Sequence, residues 1–113
     1  NNISKKYAEN FELDYWGLSN IESLKYLLSI ENGAFQISNF EDSRADFSLN
    51  LLDQNKNKIK FGKPNDIRSK YLISHKNKGF NDEYFIKRGL QVIKEIKVDN
   101  IVINRIITRK ENN

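Results

Sequence analysis

Three sets of side chains in this sequence have the types that chemistry requires. His75 is the sole histidine, so a Ser-His-acid relay would have to recruit its serine and its carboxylate from distant parts of the chain. Glu95-Ile96-Lys97 has the Glu-x-Lys spacing with which one class of nuclease binds Mg²⁺ and steadies the attacking water. In a β-hairpin, ordinary alternation produces the same spacing. Glu9, Glu12, Asp14 and Glu22 are carboxylates of the kind that hold hard cations, but they fall along a strand and at a helix start, where capping accounts for Glu22. The five glycines, at 17, 33, 62, 79 and 89, are isolated and form no phosphate-cradling loop. With no cysteine there is no thiolate zinc site, no thiol nucleophile and no disulfide framework. The chain is therefore expected to hold no catalytic set, no metal and no cofactor of its own.

Charge is a different matter. The 113 residues carry 19 basic and 15 acidic side chains, a formal net charge of +4, and the two signs are segregated. Residues 1–53 have 4 basic and 9 acidic groups, net −5. Residues 54–80 have 8 basic groups, Lys56, Lys58, Lys60, Lys63, Arg68, Lys70, Lys76 and Lys78, against Asp66 alone, net +7. Such a cluster can face phosphates of lipid headgroups or of nucleic acid. Lys56, Lys58 and Lys60 also alternate with Asn57 and Ile59 like the outer side of an edge strand, where lysines discourage strand-to-strand aggregation. The interleaved aromatics that single-stranded nucleic acid needs for stacking are few: Phe61, Tyr71 and Phe80, two of them at core positions. The heavy use of Asn, Lys and Ile (16, 14 and 14) reads as codon bias from an AT-rich genome, which inflates the lysine count.

These groups must be positioned by elements that the spacing of apolar residues predicts. Asn10 to Trp16 alternates with period two, as a half-buried strand does, and Gly17 ends it. Ser19 stands three residues before Glu22, the capping-box spacing, and opens a helix with Ile21, Leu24, Leu27 and Leu28 on one face. Glu31-Asn32-Gly33 is expected to be its left-handed stop. Ala34 to Phe40 reads as a strand with Phe35 and Ile37 on one side. Asp42 or Ser43 can cap a second helix that runs to about Leu52 and buries Ala45, Leu49 and Leu52. Asn55 to Lys63 reads as a short strand, Pro64-Asn65 as a turn, Arg68 to Ser74 as a buried strand and Lys76 to Asp82 as an exposed loop. Leu90 to Val98 and Ile101 to Arg109 flank Asp99-Asn100, a pair suited to a two-residue type I′ hairpin. That register sets Val98 against Ile101, Ile96 against Ile103 and Val92 against Ile107. It also sets Lys94 against Arg105, a like-charge pair that calls for a nearby anion or carboxylate.

Leu, Ile, Val and Phe number 34 of the 113 residues, above the roughly 20% below which chains tend to disorder. Length and core size together point to one domain, residues 1–113. The predicted class is α/β, more closely α+β: a mixed sheet with about two helices, a β-α-β start and a C-terminal antiparallel hairpin. No apolar run reaches the roughly 18 residues of a membrane span. Asn1-Asn2-Ile3 carries no initiator Met, and no Met occurs anywhere, so the chain is expected to be an excerpt from the C-terminal end of a longer protein.

One stretch is more specific. Phe11-Glu12-Leu13-Asp14-Tyr15-Trp16-Gly17-Leu18-Ser19, followed by the helix bearing Leu24, Leu27 and Leu28, resembles the Phe-Glu-Leu-Asp-Tyr-Trp-Gly-x-Ser motif. That motif occurs in the C-terminal soluble region of bacterial integral-membrane glycosyltransferases of the family-39, protein-mannosyltransferase-like group. Lys70-Tyr71-Leu72-Ile73 and the run from Ile96 to Ile106 are similar to that region's later strands and closing hairpin. The family turn more often uses Asp-Gly where this chain has Asp99-Asn100, and Tyr-Lys-Glu follows the motif where this chain has Asn20-Ile21-Glu22.

The resemblance implies a polytopic parent enzyme that moves a sugar from a polyprenyl-phosphate donor to an acceptor on the extracytoplasmic, periplasmic face. The family's catalytic acids lie in loops between membrane helices, so no catalytic residue maps onto this chain. What maps is the motif: Asp14, Tyr15, Trp16, Gly17 and Ser19. The implied partners are the rest of the parent protein and anionic lipid or a lipid-linked sugar, which Lys56, Lys58, Lys60, Lys63, Lys76 and Lys78 would meet. A basic nucleic-acid-binding module, a small nuclease using Glu95 and Lys97, and a protein-interaction domain are the competing readings.

Overall fold

A computed structural model describes residues 18–40, 43–52, 55–74 and 82–110. The predicted strand from Asn10 to Trp16, the motif residues Asp14, Tyr15, Trp16 and Gly17, and Asp42, His75, Lys76 and Lys78 lie outside the described residues.

Helix α1 covers residues 18–30, followed by β1 (Phe35–Asn39), α2 (Ala45–Leu49) and a 3₁₀ turn (Lys56–Lys58). Then come β2 (Ile59–Phe61), β3 (Tyr71–Ser74), α3 (Asp82–Lys87), β4 (Leu90–Val98) and β5 (Ile101–Arg109). The five strands form one mixed sheet in the order β2-β1-β3-β5-β4. Strand β1 lies parallel to both β2 and β3, while β5 is antiparallel to β3 and β4. The chain is an α+β protein with three helices among the described residues, one more than the sequence suggests.

Two apolar clusters show how the helices are distributed. The first joins Leu24 and Leu27 of α1 and Ala45 of α2 to Phe35, Ile37, Ile59, Tyr71, Ile73 and Ile106 of the sheet. The second joins Phe85 of α3 to Leu72, Leu90 and Ile107. Leu72 and Ile73 are neighbours on β3 yet belong to different clusters, as they must when successive strand side chains point to opposite faces. Helices α1 and α2 thus cover one face and α3 the other. Leu24 and Leu27 are fully buried, and burial of such a side chain contributes about 1.5–3 kcal/mol.

Several local expectations are corrected. Helix α1 is already under way at Leu18, so Ser19 sits inside the helix rather than at its N-cap. Its end needs no left-handed residue, since neither Asn32 nor Gly33 is among the positive-φ positions. The last helical bond runs from the Glu31 amide to the Leu27 carbonyl, and the Lys58 Nζ donates to the Glu31 carbonyl at 2.8 Å. A lysine from a later element thus serves as the cap, in keeping with the negative end of the helix dipole. Helix α2 is shorter than predicted and begins after Arg44 at φ 50°, with no cap from its own flanking side chain. Its Ala45 amide is instead accepted by Asn39 Oδ1 at 2.6 Å. Ser43, predicted as a cap, donates to the Phe40 carbonyl.

The lysine stretch folds differently from the edge-strand pattern. Lys56 and Lys58 lie in the 3₁₀ turn, and only Ile59–Phe61 pairs with β1. Residues before Tyr71 form an Asp66-centred turn rather than strand: Asp66 Oδ1 accepts from the Arg68 amide and Nε, both at 3.0 Å.

The hairpin turns on Asp99 and Asn100 at φ 52° and 67°, the left-handed pair that a type I′ turn demands. Val98 pairs with Ile101 and Val92 with Ile107 as predicted, but the middle is shifted by two bulges. The register slips by one at Ile103 and slips back at Ile93. Ile96 therefore faces Asn104, Lys94 faces Ile106, and Arg105 faces Glu95. The expected Lys94–Arg105 repulsion is replaced by a Glu95–Arg105 ion pair at 3.6 Å. Glu95, which a nuclease would spend on metal, is engaged by an arginine. Among the described residues no group of three potential ligands is placed to hold a metal ion.

Candidate functional site

Of the motif, Ser19 is the described member, and it belongs to a buried polar network. Asn104, fully buried at the β5 bulge, donates from Nδ2 to Ser19 Oγ at 2.9 Å and to Asn20 Oδ1 at 2.7 Å. Its Oδ1 accepts from Ser23 Oγ at 3.1 Å. Asn20 Nδ2 in turn donates to the Ser43 carbonyl at 2.8 Å. Both amide hydrogens and the carbonyl oxygen of Asn104 are thereby used, and α1 is tied to β5 and to the segment that leads into α2. Such a network positions elements, and its residues are buried. Ser19 is structural here.

The predicted cationic residues fall into two groups. Lys56, Lys60 and Lys63 are exposed and form no ion pair among the described residues. They lie along β2 and its flanks, and β2 is one of the two outer strands of the sheet among the described residues. Lys60 is exposed on the strand whose Ile59 side chain is buried in the core. Lys58 does not join them, because it is half-buried and caps α1. Phe61 and Tyr71, the described aromatics of this stretch, pack in the first apolar cluster.

The second group surrounds Glu31. Tyr71 Oη donates to Glu31 Oε1 at 2.5 Å, and Lys70 Nζ stands 2.6 Å from the same oxygen. Glu31 keeps only 12% of its side chain exposed. Desolvation opposes its ionisation, but the hydrogen bonds from Lys70 and Tyr71, aided by the charges of Lys70 and Lys58, outweigh it and lower its pKa. Tyr71 is pushed well above the ordinary phenol range, first by burial and then by the Glu31 carboxylate that accepts its proton. The group ties the end of α1 to the start of β3.

A carboxylate with a depressed pKa in the folded state adds stability above its unfolded value near 4.5 and loses that contribution as pH falls through the lower folded value. Asp46, whose pKa is lowered chiefly by Arg44, and Asp66, lowered chiefly by Arg68, act in the same sense. The urea midpoint is therefore expected to fall between about pH 6 and about pH 3, and to fall less in Glu31→Gln. Parallel urea titrations at the two pH values check this. An equal drop in wild type and variant would remove Glu31 from the account.

Sequence reasoning missed Glu31 and Asn104. A signal for Glu31 was present, since an acid in the last turn of a helix meets the negative end of the dipole and calls for a cationic partner. For Asn104 the only signal was an amide in the middle of an apolar strand. Comparison with protein-family models, curated proteins and solved structures finds no match to this chain.

Proposed function

We propose that this chain is a non-catalytic accessory module of a membrane-embedded, polyprenyl-phosphate-sugar-dependent glycosyltransferase. In this reading it sits on the extracytoplasmic side and rests its basic edge on anionic headgroups, helping to position acceptor or donor. The observation that carries the headgroup contact is the row of exposed lysines, Lys56, Lys60 and Lys63, which form no ion pair among the described residues and lie along the outer strand β2. The parentage rests on the likeness of residues 11–19 to that group's motif. No described helix is long and apolar enough to cross a membrane.

Lysines near an anionic bilayer contribute about 1 kcal/mol each, and salt screens them within a Debye length. Flotation with vesicles is expected to show weak retention on phosphatidylglycerol-containing membranes, none on phosphatidylcholine alone, and release by added salt. Equal behaviour on both membranes would refute the headgroup contact. Nucleic acid is the weaker reading because Phe61 and Tyr71 are committed to the core and are not offered for stacking.

A further inference from the structure

We propose that a cleft beside the start of β3 is a binding site for a small phosphate monoester, such as a sugar phosphate. The cleft has a volume of about 540 Å³, and Lys70, Gln91, Thr108, Arg109 and Lys110 line it together with Tyr71. Pairing of Tyr71 with Thr108 and of Thr108 with Gln91 brings these three distant segments together.

Among the described residues the lining contains three cations and no carboxylate. Among the described residues, Glu31 is the acid beside this lining, and it is mostly enclosed and already holds Lys70 and the Tyr71 hydroxyl. Arg109 and Lys110 are exposed and form no ion pair among the described residues. A concave surface lined by one sign of charge concentrates the opposite sign. With Lys70 held by Glu31, the charges of Arg109 and Lys110 match the roughly −1.5 to −2 charge of a phosphate monoester better than a single carboxylate.

The neutral groups favour an organic portion. Thr108 Oγ1 donates to the Lys70 carbonyl at 2.7 Å, which leaves its lone pairs to accept from a ligand hydroxyl. Gln91 is exposed and offers an amide of both polarities. Ile93 also lines the cleft, an apolar wall for a ring face. A bare phosphate would leave most of the volume to solvent. The site is separate from the outer-strand lysines, so it stands or falls independently of the headgroup reading.

Amide NMR titration of the whole chain tests it with four probes: glucose phosphate, glucose, inorganic phosphate and phosphatidylglycerol vesicles. Glucose phosphate is expected to give saturable shifts centred on Lys70, Gln91, Thr108 and Lys110, with glucose silent and inorganic phosphate weaker. The double variant Arg109→Gln with Lys110→Gln is expected to weaken apparent affinity by about tenfold or more, while Lys60→Gln leaves it unchanged. The same spectra report that each variant is folded. Non-saturating shifts, shifts spread over all lysines, an unaffected double variant, or perturbation of the cleft by vesicles alone would each overturn the proposal. Inorganic phosphate binding as tightly as the ester would assign the site to the free ion and overturn the monoester.

Discussion

Ile37→Ala is expected to lower the unfolding free energy by about 2–5 kcal/mol. Ile37 is fully buried in β1, which is flanked by β2 and β3, and it pairs with Phe61 on one side and Tyr71 on the other. It belongs to the cluster that also holds Leu24 and Leu27 of α1. Truncation removes three methyl or methylene groups from water-excluded contact and leaves a cavity between sheet and helix that two neighbouring strands keep from collapsing. Ile101→Ala is the control, because that side chain is 56% exposed beside the hairpin turn and should cost less than about 0.5 kcal/mol. Urea unfolding followed by far-UV circular dichroism reads both. A cost for Ile37→Ala no larger than the control would mean that Ile37 is not packed in the core between α1 and the sheet.

Asn104→Leu is expected to cost about 3 kcal/mol although it replaces an amide with an apolar side chain of similar size. The loss comes from what is left behind: Ser19 Oγ, Asn20 Oδ1 and Ser23 Oγ each lose a hydrogen-bond partner. All three residues are buried, and an unsatisfied buried polar group costs about 1–3 kcal/mol. The partners are coupled, so Ser23→Ala should cost less in the Asn104→Leu background than alone. A double-mutant cycle isolates that term, expected at about 0.5–3 kcal/mol. Additive costs, or an Asn104→Leu penalty under about 1 kcal/mol, would show that the network does not hold α1 on β5. The result also bears on the motif, since Ser19 is one of the residues that α1 presents to Asn104.

The sequence made some elements plain because their signals are local. Asp99-Asn100 announced the tight turn, and both residues adopt the left-handed conformation it needs. The apolar spacing of Leu24, Leu27 and Leu28 marked the inner side of α1, and Phe35 with Ile37 marked the inner side of β1. What the sequence hid depends on partners far along the chain. The bulges at Ile103 and Ile93 accompany Asn104 reaching the serines of α1 and Arg105 pairing with Glu95, neither of which a strand pattern reveals. Helix α3 has six residues and anchors chiefly through Phe85, too few turns to display a helical period. Gly89 at φ 70° follows it, a stop signal that sequence reading left unused.

The lysines were misread for a related reason. Alternation of Lys56, Lys58 and Lys60 looks like strand, but the left-handed Asn55 at φ 65° opens a 3₁₀ turn instead. Lys58 is thereby carried to the carbonyl end of α1. Among the described residues Lys58 is withdrawn from the other lysines of that stretch, and Lys70, Arg109 and Lys110 gather at a cleft that no contiguous stretch could disclose. Clustering along the chain and clustering in space are different things here.

The most direct measurement is vesicle flotation of the variant Lys56→Gln, Lys60→Gln, Lys63→Gln beside the wild type, on phosphatidylglycerol-containing membranes at low salt. Loss of most of the retention, with an unchanged urea midpoint, is the predicted result. Undiminished retention by the folded variant would contradict the docking of the outer strand on an anionic surface.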